Sequence, residues 1–91
     1  MTNPQSDRRF EKRHDAAKDI KIRVLLPNLV EIRGRVVDIS PSGFRAEHKY
    51  SALSAGQKVE YELEGNEGSA LVVWNRIFEE HVETGFFLLQ N

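Results

Sequence analysis

From Ile20 onward, hydrophobic side chains return at every second position of this chain. Ile20, Ile22, Val24 and Leu26 alternate with Lys21, Arg23 and Leu25 until Pro27-Asn28 interrupts the run. A period of two belongs to extended chain with one buried face, because successive side chains on a strand point to opposite sides. Leu29 to Ile39 repeats it, with Val30, Ile32, Gly34 and Val36 against Glu31, Arg33 and Arg35; Gly34 stands where a bulge or bend is expected. Ser42 to Lys49 sets Phe44, Ala46 and His48 against Arg45 and Glu47, joined to the preceding strand by a hairpin through Ser40-Pro41-Ser42-Gly43. Lys58 to Glu64 alternates again, Gly65-Asn66-Glu67-Gly68 reads as a turn, and Ala70 to Trp74 and Gly85 to Leu89 complete the set. Six short strands with almost no helical periodicity predict an all-β, antiparallel barrel or sandwich, since closure protects strand edges. The stretches Val72-Val73-Trp74 and Phe86-Phe87-Leu88 are apolar on both sides and are expected at its centre, with Trp74 and Phe86 as core residues.

Size and charge then limit what such a barrel can do. Ninety-one residues make a single small domain, long enough for one core but too short to enclose a deep active site as well, so a surface site is expected. Without cysteine there is no disulfide framework or thiolate metal cage. No apolar run approaches the roughly 18 residues of a membrane span, and the first 19 residues are polar, with nothing resembling a signal peptide, so membrane insertion is not expected and a cytoplasmic location is. The net charge of −1 argues against a general nucleic-acid binder, and Glu dominates the polar positions of the later strands, so neither DNA nor RNA is an expected partner. Charge is distributed unevenly, however. Residues 1–23 hold seven Arg or Lys against four acids, a local +3 that leaves −4 for the remainder. Residues 1–19 lack apolar periodicity and are read as a flexible basic tail, with one helical turn around Arg9 to Ala17, preceding a barrel over residues 20–91.

Two short motifs carry the chemistry. Arg9-Phe10-Glu11-Lys12-Arg13 supplies two guanidiniums, planar and always charged, whose donor forks match phosphate oxygens and the O6/N7 edge of guanine. About 25 residues later, Asp38-Ile39-Ser40-Pro41-Ser42-Gly43 supplies a carboxylate that can accept the N1–H and N2–H₂ donors of guanine, a hydroxyl, and a glycine suited to a positive-φ turn or to close approach of backbone to ligand. Either pattern alone is common; their combination is specific. His14, His48 and His81 are scattered without ligand-like spacing, so no metal site is expected. Nor does a nucleophile-base pair or a carboxylate dyad stand out, so neither catalytic residues nor enzyme activity are expected.

With these residues in place, nearly the whole chain resembles the PilZ family, bacterial receptors for the second messenger cyclic di-GMP. The resemblance rests on Arg9 and Arg13 as R-x-x-x-R, on Asp38 to Gly43 as D/N-x-S-x-x-G, and on Val73-Trp74 with Thr84-Gly85-Phe86 as a closing hairpin. It implies a six-stranded antiparallel PilZ-type β-barrel whose arginine-bearing tail folds over the ligand. On this chain it implies that Arg9 and Arg13 contact guanine edges and phosphates, while Asp38 and Ser40 hold a guanine and Gly43 admits the ligand. Arg8, just before the first motif, is associated in this family with a stacked pair of ligand molecules, and its extra charge would help offset the phosphates such a pair brings together. The expected function is therefore a non-catalytic cyclic di-GMP receptor whose tail orders on binding and presents a new surface to a downstream protein, with no cofactor. The alternative is a PilZ-like adaptor that acts through protein contacts without nucleotide.

Overall fold

The computed structural model describes residues 14–89 and consists of six strands: β1 (His14–Val24), β2 (Val30–Ser40), β3 (Gly43–His48), β4 (Lys58–Leu63), β5 (Asn66–Ile77) and β6 (Val82–Leu89). Every neighbouring pair is antiparallel, and the order β1-β2-β3-β6-β5-β4 closes back on β1, so the all-β six-stranded barrel read from the alternation is the observed fold. Closure pairs both edges of every strand among the described residues.

Alternation decides what fills the interior. Ile20, Ile22 and Val24 of β1, Ile32 and Val36 of β2, Phe44 and Ala46 of β3, Val59 of β4, Ala70 and Val72 of β5, and Phe86 of β6 are all buried, and Leu53 from the β3–β4 connection joins them. Phe44 stacks on Phe86 at 4.9 Å between centroids and meets Tyr61 edge-on at 5.3 Å, arrangements favoured by the ring quadrupoles. The lower interior is polar. The Tyr50 N–H donates to His48 Nδ1 at 3.0 Å, which leaves the His48 proton on Nε2 to donate to Thr84 Oγ1 at 2.7 Å. Thr84 in turn donates to Asn75 Oδ1 at 2.5 Å, and Asn75 Nδ2 donates to the Leu53 carbonyl at 3.2 Å. His48, Thr84 and Asn75 thus each have hydrogen-bond partners, as burial demands.

Several element boundaries differ from the sequence reading. β1 begins at His14 rather than Ile20, so residues 14–19 are strand, paired with β2, and not part of a helical turn. The β4–β5 turn is the two residues Glu64-Gly65, with φ of 53° and 80°, and Asn66 to Gly68 already belong to β5. Positive φ at both central positions is the twist-matched geometry for a two-residue hairpin, for which glycine at the second position is suited. Gly34 pairs regularly with Ile20 and marks no bulge; the irregularities fall at residues 15–18, 36–38 and 72–74. The outer face of β4, β1 and β2 carries a ladder of ion pairs, among them Lys18–Glu64 at 3.1 Å, Arg33–Glu31 at 3.5 Å and Lys21–Glu31 at 3.8 Å. This face neutralises itself and offers no basic stripe.

Candidate functional site

The opposite outer face is shaped by two bulges. In β2, Val36 opposes Ala46 while Asp38 opposes Arg45, so one extra residue intervenes. In β5, Val72 opposes Phe86 while Trp74 opposes Gly85. Strict alternation would send Asp38 and Trp74 inward with Val36 and Val72; each bulge reverses the side chain to the outer face, a recognised use of this irregularity. The two reversed residues end one cross-strand row, Asp38–Arg45–Gly85–Trp74, which runs across β2, β3, β6 and β5. A second row, Ser40–Gly43–Phe87, lies beside it. Between them is an open depression of about 280 Å³ whose lining includes Asp38, Ser40, Gly43, Arg45, Trp74 and Phe87.

Both glycines in these rows are required by close approach. A Cβ on Gly43 would collide with the Phe86 carbonyl oxygen, and a Cβ on Gly85 would overlap the Trp74 indole, which lies flat across that position. Gly43 has no positive φ, so of the two reasons offered for a glycine in the motif, only close approach of backbone holds, and the backbone approached is that of β6. The Pro41-Ser42 hairpin holds the second motif firmly. Ser40 and Gly43 are paired, Ser40 Oγ donates to the Gly43 carbonyl at 3.4 Å, and the Leu88 N–H donates to the Ser42 carbonyl at 2.9 Å.

Asp38, Ser40 and Gly43 of the second motif therefore come together at the groove; Arg8, Arg9 and Arg13 lie outside the described residues. Their attachment point is nevertheless defined. His14, which follows Arg13, has Ile39 as its strand partner, and Ile39 sits between Asp38 and Ser40. The central placement expected for both apolar stretches needs correction: Val72 and Phe86 are core, but Val73 and Phe87 are about half exposed, at 51% and 49%, and Trp74 faces the groove. Arg76 lies 5.5 Å over the Trp74 ring, a cation–π distance.

Sequence reasoning missed Arg45. Its Nη2 donates to Asp38 Oδ2 at 2.6 Å, and its Nη1 lies 4.0 Å from Glu83 Oε1. The signal was present, because a hairpin through residues 41 and 42 places residue 45 near residue 38, but the bulge that makes them direct partners is invisible in an alternation pattern. Nor did histidine spacing reveal that Glu47, His81 and Glu83 come together, with one potential metal-ligating atom from each lying within 4.8 Å of the others. His81 Nε2 lies 3.9 Å from Glu47 and 3.6 Å from Glu83, so a protonated imidazole would serve the same two carboxylates. Inside the barrel, burial lowers the His48 pKa from 6.5, since a charged imidazole there would lose its hydration.

Comparison with known proteins points to a solved structure. No family model matches the chain, and no curated protein does. Among solved structures, the crystal structure of YcgR in complex with c-di-GMP from Escherichia coli superposes with a TM-score of 0.68 at 19% sequence identity. The match covers 91% of this chain and 38% of that one, so the chain spans well under half the length of YcgR. The shared feature is the fold, a PilZ-like barrel.

Proposed function

We propose that this chain is a non-catalytic receptor for cyclic di-GMP that binds in the groove formed by the two rows. The observation that carries this reading is the pairing of His14 with Ile39. It fixes the root of the arginine segment beside Asp38 and Ser40. One residue spans about 3.8 Å between Cα atoms, so Arg13 begins within reach of the groove, and Arg9, five residues before His14, can reach it along roughly 18 Å of extended chain. Arginine forks on one side and a carboxylate on the other address the two edges of guanine, and the outward Trp74 offers a flat apolar wall. The YcgR match supports the reading through its shared barrel.

Binding is then a matter of drawing the arginines of residues 1–13 onto the rim of the barrel, with Arg8 adding charge for a second, stacked ligand. The ordered segment and ligand together form a surface for a downstream protein, a switch of the order–disorder kind. A bacterial cytoplasmic setting accompanies this reading, because that is where this messenger acts. Calorimetric titration with cyclic di-GMP, using GTP and cyclic GMP as controls, tests it. Saturable, selective heat is expected, with a stoichiometry of two per chain if Arg8 acts as proposed. Loss of one bidentate arginine contact costs about 1–3 kcal/mol, so Arg9→Ala and Arg13→Ala are each expected to weaken binding by about tenfold or more. Absence of heat together with absence of a thermal shift would make the adaptor reading the better one.

A further inference from the structure

Val73 and Phe87 hold half of their surface out of the barrel, at 51% and 49% exposure, and both line the groove. Their inward neighbours Val72 and Phe86 are core, and Leu71, the strand partner of Phe87, extends the strip along β5. An apolar strip left in water at the rim of a ligand groove forgoes its burial, and such patches mark places where something docks. The exposed leucines Leu25, Leu26 and Leu29 are separate from it, standing in the β1–β2 connection at the far end of β1 from His14.

The chain itself supplies a side chain to cover it. Between Asn3 and Asp19 the sequence carries a single large hydrophobic residue, Phe10, directly after Arg9 and three positions before Arg13. Strand register sets the distance it has to cover. His14 pairs with Ile39, Ile39 with Phe44, and Phe44 with Phe86, one row across β1, β2, β3 and β6, and Phe87 follows Phe86. Three strand spacings of about 4.8 Å make roughly 14 Å. Phe10 precedes His14 by four residues, and four residues of extended chain span about 13–14 Å. The length from His14 back to Phe10 therefore matches the width from β1 to β6.

We propose that the strip formed by Val73 and Phe87 is the docking site of Phe10: as cyclic di-GMP draws residues 1–13 onto the barrel, the Phe10 ring seats on both side chains and anchors Arg9 and Arg13 at the groove. This inference rests on the cyclic di-GMP reading and adds to it the apolar contact that holds the segment. Guanidinium contacts work against the conformational entropy of the residues they order and against their own hydration. An apolar anchor draws on a different source, the removal of a phenyl ring and two half-exposed side chains from water. Phe87 belongs to the row beside Asp38–Arg45–Gly85–Trp74, so anchor and ligand take separate parts of the groove.

The test is a double-mutant cycle on the full chain, read by calorimetric titration with cyclic di-GMP: wild type, Phe10→Ala, Phe87→Ala and the double variant. Should Phe87→Ala lose the barrel by circular dichroism, Val73→Thr, which keeps the β-branched shape, takes its place in the cycle. Each single change is expected to weaken binding by about tenfold, and the double variant to bind no more weakly than the weaker single, because partners in one contact are not additive. Phe10→Leu is expected to retain most of the affinity, and the liganded wild type to show a nuclear Overhauser effect between the Phe10 ring and the Val73 methyls. Losses that multiply in the double variant would mean that Phe10 and Phe87 act separately, and would overturn the inference. Unchanged affinity in Phe10→Ala would do the same, as would wild-type self-association in sedimentation that Phe87→Ala abolishes and Phe10→Ala does not, which assigns the strip to a second copy of the chain. A wild-type chain that binds no cyclic di-GMP overturns the functional reading and this inference together, whereas binding that is indifferent to Phe10 overturns this inference alone.

Discussion

Replacing Thr84 with valine removes one hydroxyl and almost nothing else, and the structure indicates what that costs. Thr84 is fully buried on β6, and its Oγ1 links His48 Nε2 at 2.7 Å to Asn75 Oδ1 at 2.5 Å. Valine matches the shape, so no cavity opens. The loss is that of two hydrogen bonds, with a buried N–H of His48 and a part-buried carbonyl of Asn75 left without the partner they had. A buried polar group deprived of its partner costs about 1–3 kcal/mol, so the expected loss is about 2–4 kcal/mol, with the lower end applying if Asn75 turns toward solvent. A domain of this size has of the order of 5–15 kcal/mol to lose, and each 1 kcal/mol lowers Tm by roughly 4–8 °C. Urea unfolding followed by Trp74 fluorescence measures the effect as a fall in midpoint at unchanged m-value, which signals lost stability rather than a changed unfolded state. A Thr84→Val midpoint within about 0.5 kcal/mol of wild type, the usual scatter of neutral surface changes, would refute the idea that this chain of polar groups holds the lower barrel together.

The same chain makes stability depend on pH. The unfolded chain protonates His48 at its ordinary 6.5, while burial lowers the folded value, so unfolding takes up a proton below 6.5. The His48 contribution is fully present above 6.5 and is lost as pH falls from there toward the folded value; an NMR titration of the His48 ring placing its midpoint at or above 6.5 would exclude this. Gly43→Ala places a methyl group against the Phe86 carbonyl, forcing β3 away from β6 where Asp38–Arg45–Gly85–Trp74 must stay aligned. Overpacking of this kind costs about 1–3 kcal/mol, and both a lowered Tm and weakened cyclic di-GMP binding are expected, with an unchanged Tm showing that the strands absorb the methyl group.

Local physics made much of this protein legible in its sequence. Period-two alternation assigned six strands, because a strand with one buried face leaves no other pattern; Pro41-Ser42 marked one hairpin, and Gly65 to Gly68 marked a second that the structure centres on Glu64-Gly65. Asp38, Ser40 and Gly43 could be placed together because they occupy one hairpin, whose geometry is settled within a few residues. Tertiary structure decided which side each residue faces once the alternation slips. The bulges at residues 36–38 and 72–74 turn Asp38 and Trp74 outward, and their cause is non-local: β3 and β6 must pair with β2 and β5 around a closed, twisted barrel. Trp74 looked like core for that reason, and Arg45 looked like an ordinary surface cation. The joining of His48, Thr84 and Asn75 is likewise a matter of closure, since these residues are separated by 36 and 9 positions and meet only when β6 lies between β3 and β5. The sequence alone determined the strands and the chemistry available to them; closing the barrel determined which of those groups share a face, because register between distant strands is set by the packing of the whole interior and not by any one segment.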